Sequence, residues 1–89
     1  MTKEQRSVVT EYINSLSDDM LGNLTAKLVE RVEGDLAEAL DFMGRNNKMD
    51  SLLSSAKSAT ELYDLSDLVR DMFLKECKRK GVAPMRYIE

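Results

Sequence analysis

The 89-residue chain contains no histidine, which removes the commonest general base, the usual zinc ligand set and every Ser–His or Cys–His nucleophile pair. Carboxylates, lysines and one thiol remain for chemistry. Glu30, Glu33 and Asp41 share the polar arc of one amphipathic segment, with no histidine three positions on to complete the Glu-x-x-His motif of di-metal helical bundles. Asp64, Asp67 and Asp71 repeat at helical spacing further along and read as a solvated helix face. The Asn46–Asn47 stretch lacks the alternating acids and terminal glutamate of a calcium loop. The glycines at 22, 34, 44 and 81 are scattered and none belongs to a GxxxxGK phosphate cradle. The expectation is a protein with no catalytic residue, no metal and no cofactor.

Cys77 is the single cysteine, so an intramolecular disulfide is excluded and a reducing compartment fits. It falls near the end of a predicted helix, where the macrodipole disfavours a thiolate while neighbouring lysines favour one. Lys75, Lys78, Arg79 and Lys80, with Arg86 beyond them, form the one cationic cluster. Such a cluster can lie along phosphates, and it can equally complement the exposed carbonyls of a helix C-terminus. Nothing aromatic lies within it to stack on a base. The outer face of the same helix is acidic until its last turn, which argues against insertion into a major groove.

The elements that would position these groups are helices. One proline and four glycines in 89 residues supply few turns for an all-β chain. Leu, Ala, Met, Glu, Lys and Asp dominate and favour helix. Thr2 with Gln5 has capping-box spacing, so a first helix starts at about Lys3 and carries the apolar stripe Val8, Val9, Tyr12, Ile13 and Leu16. Ser17, Asp18 and Asp19 supply the next N-cap.

From there Leu21, Leu24, Leu28, Val32, Leu36, Ala39 and Met43 keep one helical phase, and the spacing predicts a single helix over 19–43, continuous through Gly34, about 37 Å long. Gly44 closes it in a left-handed conformation. Asp50 or Ser51 caps a short third helix, with Leu52, Leu53 and Ala56 apolar. Ser58 with Glu61 caps a last helix reaching about Lys80, its inner face Leu62, Leu65, Leu68, Val69, Met72 and Phe73, with Cys77 at the margin. Gly81 ends that helix and Pro84 prevents another. Six methionines, Met43, Met49 and Met72 among them, read as core filling.

The fold class expected is all-α, a small helical bundle of about four helices in which two long antiparallel ones, 19–43 and 58–80, pack together under the first. Residues 1–89 form one domain, with 82–89 as a non-helical C-terminal tail. That tail is apolar at Val82, Met85, Tyr87 and Ile88, so it packs back on the body or onto a partner. Two long helices are hard for so short a chain to sheath, which points to a homodimer. The longest apolar runs are a few residues and no leader is seen, so neither membrane insertion nor export is expected. A net charge of −3 is too mild to diagnose a partner, although 18–41 is mainly acidic and the C-terminal end basic.

By elimination the chain reads as a non-enzymatic, cytoplasmic protein-interaction module: an adaptor, inhibitor or regulator. Its expected contact residues are Asp64, Asp67, Asp71, Met85, Tyr87 and Ile88. The alternative is a nucleic-acid-associated regulator using Lys75, Lys78, Arg79, Lys80 and Arg86.

Overall fold

The computed structural model describes residues 1–30 and 32–85. Among these, the chain forms five helices: α1 (Lys3–Asn14), α2 (Asp18–Glu30), α3 (Glu33–Met43), α4 (Asn47–Ser54) and α5 (Ala59–Lys80). The architecture is all-α and no described residue lies in a strand.

The starts of the helices are written in side-chain oxygens. Thr2 accepts from the Gln5 amide while the Gln5 side chain accepts from the Thr2 amide, so two unpaired donors of α1 are satisfied reciprocally. The Ser17 hydroxyl accepts from Met20 N–H at the head of α2. The Ser58 hydroxyl accepts from Glu61 N–H, and the Glu61 carboxylate reaches back to Lys57 N–H.

The cap of α4 is Asn46, which accepts from Met49 N–H; it lies earlier than the Asp50 or Ser51 expected. The extra turn matters because it brings Met49 into the core. Gly44 ends α3 with φ −66, in the ordinary helical region and not the left-handed one. Gly81, at φ +70, does take the left-handed conformation. There Val82 N–H bonds Cys77 C=O and Gly81 N–H bonds Lys78 C=O, the double closure that stops a helix.

The predicted 19–43 rod is a correction. Val32 is extended, at φ −63 and ψ 127, and separates α2 from α3. Its side chain is 53% exposed, so it does not continue the buried stripe that Leu21, Leu24 and Leu28 begin and Leu36, Ala39 and Met43 resume. The physical reason is coverage. A straight helix of that length would leave its stripe without enough chain to cover it, whereas a break after Glu30 lets α3 fold back against α2. Lys27 of α2 and Glu38 of α3 meet at 2.8 Å across that turn. The β-branched Val29 and Val32, followed by Gly34, make the break inexpensive in helix propensity. Only α5 is therefore long. Its 22 residues, about 33 Å at 1.5 Å each, match the molecule's longest dimension of 33 Å.

A single buried cluster draws on all five helices, with Val9, Tyr12 and Ile13 meeting Leu21, Leu24, Leu28, Met43, Met49, Leu52, Val69 and Phe73. Phe73 is fully enclosed and packs its ring against Tyr12, with centroids 6.4 Å apart. Burying a side chain of that size contributes about 2–3 kcal/mol. Helix α5 turns inward Ser66, Val69, Phe73 and Cys77. Leu62, Leu65 and Met72 are half-buried, while Leu68, expected inside, is exposed.

Helix α2 lies antiparallel to α5. Asp18 at the head of α2 pairs with Lys80 at the end of α5 at 3.7 Å, and Cys77 Sγ donates to Thr25 Oγ1 at 3.3 Å. Thr25 in turn donates to Leu21 C=O at 2.6 Å, so this fully buried hydroxyl is satisfied on both sides. The tail then crosses α2 at Gly22, where Met85 N–H donates to Gly22 C=O at 3.2 Å.

Two predictions follow from this packing. A Cβ on Gly22 would lie 2.9 Å from the Ala83 carbonyl oxygen, whereas one on Gly34 would meet nothing within 4 Å. In urea unfolding, Gly22→Ala is expected to cost about 1–3 kcal/mol, and Gly34→Ala to gain up to about 1 kcal/mol. The Tyr12 hydroxyl is buried and finds no hydrogen-bond partner among the described residues, and burial pushes its pKa up. The folded state therefore holds this proton at a pH where the unfolded chain releases it, so the contribution is complete below pH 10 and is lost as pH rises beyond it. The slope is at most about 1.4 kcal/mol per pH unit. Tyr12→Phe should be neutral or stabilising by up to about 1 kcal/mol at pH 7, and unfolding curves from pH 8 to 11 should lose less stability than the parent's.

Candidate interaction surface

The acidic contact residues expected from the sequence, Asp64, Asp67 and Asp71, all project from α5, and the structure compensates two of them. Arg70 reaches Asp67 at 3.5 Å and Asp71 at 3.1 Å along the same helix. Asp64, one turn earlier, is exposed. The row is thus a mixed-charge edge and not an uncompensated negative stripe, and exposed pairs of this kind contribute at most about 1 kcal/mol each.

The basic residues are splayed around the helix. Arg79 bonds Glu76 through two nitrogens, with Nε 3.0 Å from the carboxylate. The hydrogen bond from Arg79 holds the Glu76 carboxyl below its usual range, helped by the charges of Arg79 and Lys80, and the same pair raises the Arg79 pKa. Lys80 is turned to Asp18. Helical steps of about 100° put Lys80 roughly 160° around α5 from Lys78. A phosphate-tracking face needs its cations free and side by side, and here two of the four are already holding carboxylates. Arg86, Tyr87 and Ile88 lie outside the described residues. Met85 is 64% exposed.

Sequence periodicity missed the most exposed apolar surface. Among the described residues the large exposed hydrophobics are Val29, Val32, Tyr63, Leu68, Leu74 and Met85. Val29 of α2 and Leu74 of α5 fall on the same side of the α2–α5 seam. Tyr63 and Leu74 are eleven residues apart, three turns along one stripe of α5, with the paired Asp67 and Arg70 between them. One turn from the Thr25–Cys77 contact, in opposite chain directions, come Val29 and Leu74. Val29 is also two turns beyond Gly22 on the same face of α2, and Gly22 is where the tail carrying Met85 is fastened. Val29, Leu74 and the tail thus bring exposed apolar side chains together on one side of the seam, an apolar strip from which Tyr63 is separated by the Asp67–Arg70 pair. The signal available in the sequence was that Val29, Tyr63 and Leu74 sit off the main apolar phase; singly, such residues are ordinary surface.

Among the described residues no group of three or more Cys, Asp or Glu side chains is placed to hold a metal ion, and no helix is long and apolar enough to cross a membrane. The fold and surface define a class no narrower than a five-helix all-α protein with an exposed apolar seam. Compared with protein-family models, curated proteins and solved structures, the chain gives no match in any of the three.

Cys77, expected at the margin of α5, is 2% exposed and engaged with Thr25. A thiol so enclosed reacts only when the helix pair opens. Modification by a disulfide reagent should therefore be slow in buffer, fast in denaturing urea, and accelerated in step with any variant that lowers stability.

Proposed function

We propose that this chain is a non-enzymatic, cytoplasmic interaction module, an adaptor, inhibitor or regulator, and that it acts by pairing the α2–α5 strip with another protein surface. The observation that carries this reading is that exposed Val29 and Leu74 flank the Thr25–Cys77 contact on one side of the seam, beside Gly22, where the tail carrying exposed Met85 is fastened. Scattered apolar side chains are normal on a surface, but apolar residues drawn from two helices and a tail into one strip are characteristic of interfaces. One turn before Leu74 on the same stripe of α5 the Asp67–Arg70 pair begins, with Asp71 beside it, and these carry both signs of charge, as the polar rim of an interface does. The fastened tail supports the same reading, since it holds Met85 in place and less order is lost on binding than with a loose segment.

A second copy of the chain is the first partner proposed. An antiparallel, two-fold arrangement would bring the strip against itself and each mixed-charge rim against its equivalent. The buried state of Cys77 fits a reducing compartment.

Sedimentation equilibrium at tens of micromolar tests the self-association. The expected result is a dimer that Leu74→Glu combined with Val29→Glu converts to monomer, with helical circular dichroism unchanged. A parent protein that stays monomeric across that range rejects the dimer.

A further inference from the structure

A second surface lies on the other flank of α5, away from the apolar strip. Between α1 and α5 run two adjoining hollows of about 270 and 230 Å³, and Arg6, Met72 and Lys75 line both. The floor is apolar: Met72 is joined by Leu68 in one hollow and by Ile13 in the other. Leu68 is a large exposed hydrophobic outside the α2–α5 strip.

The walls carry two cations and two acids, but only the acids are already paired. Arg6 on α1 and Lys75 on α5 are both exposed, and neither makes an ion pair among the described residues. The two acids that border the groove are engaged elsewhere, Asp71 with Arg70 and Glu76 with Arg79. The acids of α1 point away, because Glu4 and Glu11 fall roughly 140–160° around that helix from Arg6. Glu11 is paired with Lys48 of α4 at 3.2 Å. In a protein of net charge −3, these are two cations, unpaired among the described residues, over an apolar floor.

We propose that the α1–α5 groove docks an acidic amphipathic helix of a partner protein. One or two of its apolar side chains seat on Met72 and Leu68, and carboxylates on either side are held by Arg6 and Lys75. The groove follows α5 from Leu68 to Glu76, about 12 Å or a little over two turns, a span that side chains at i, i+4 and i+7 of a helix cover. A polyanion such as single-stranded nucleic acid would satisfy the cations but leave the apolar floor wet. An uncharged helix would cover the floor but leave the cations without partners. The occupant needs both characters. This groove is distinct from the surface in the proposed function, and each is tested without the other.

The probe is a fluorescein-labelled helical peptide of roughly four turns, with leucines on one face and glutamates flanking them. It is titrated with the full chain and followed by anisotropy. Saturable binding is expected, weakening as salt rises from about 50 to about 500 mM. Arg6→Glu with Lys75→Glu should weaken it by at least about tenfold, and the milder pair Arg6→Gln with Lys75→Gln in the same direction, both keeping the parent's circular dichroism. Lys78→Glu and Leu74→Glu, outside the groove, should leave it unchanged. The proposal is overturned by any of four results: no binding, equal affinity for the peptide with lysines in place of glutamates, indifference to both double variants, or a single-stranded DNA oligomer that binds more tightly than the peptide through the same two cations.

Discussion

Helix α2 is enclosed around nearly its whole circumference, and the rest of the molecule is arranged to make that possible. Leu21, Gly22, Asn23, Leu24, Thr25 and Ala26 are consecutive and all buried, and Leu28 follows them. Six successive positions go more than once around a helix, so no single neighbour can cover them. One flank is met by α5 through Thr25 and Cys77, another by α3 through Lys27 and Glu38, and a third by the tail at Gly22. Apolar burial of this kind is the main favourable term for so small a protein. It carries a requirement: each polar group taken inside must keep a partner, as Thr25 does in bonding both Leu21 and Cys77.

Several features that look unrelated are consequences of enclosing this helix. The chain breaks after Glu30 because α3 has to come back alongside. Gly22 lacks a side chain where the tail carbonyl of Ala83 comes close. The left-handed Gly81 turns the chain off α5 so that 82–85 can reach α2. With its inner side committed to this core, α5 is left with two flanks. One lies beside α2 and gathers the apolar strip; the other lies beside α1 and gathers Arg6 and Lys75 over Met72. The charged residues along its back are largely tied to one another, as with Arg70 between two aspartates. The chemistry a partner could use is therefore at the seams between helices.

Much of the fold was legible in the chain. Thr2 with Gln5 and Ser58 with Glu61 announce helix starts through local hydrogen bonds that need no tertiary context, and Gly81 announces a stop for the same reason. The misreading at 19–43 came from treating helical phase as sufficient. Phase tells which side of a helix is apolar but not whether the helix is one piece, and Leu28 and Leu36 stay in phase whether the chain runs straight or folds back. The surface was less legible. Asp64, Asp67 and Asp71 are on one helix as the spacing implied, yet the charges of Asp67 and Asp71 are offset by Arg70 beside them. Lys75 was grouped with Lys78, Arg79 and Lys80 by proximity in sequence, while in space it shares a groove with Arg6.

By itself the sequence determined the all-α class, the starts of α1 and α2, both ends of α5 and the residues available for burial, because capping, propensity and apolar period act over a few residues. Only the tertiary structure decided where the central helix breaks, that Cys77 is sealed against Thr25, and which exposed side chains stand together. Those outcomes depend on contacts between residues 11 to 52 positions apart, such as Lys27 with Glu38 and Thr25 with Cys77, and on the requirement that a short chain leave as little of its apolar surface in water as its length allows.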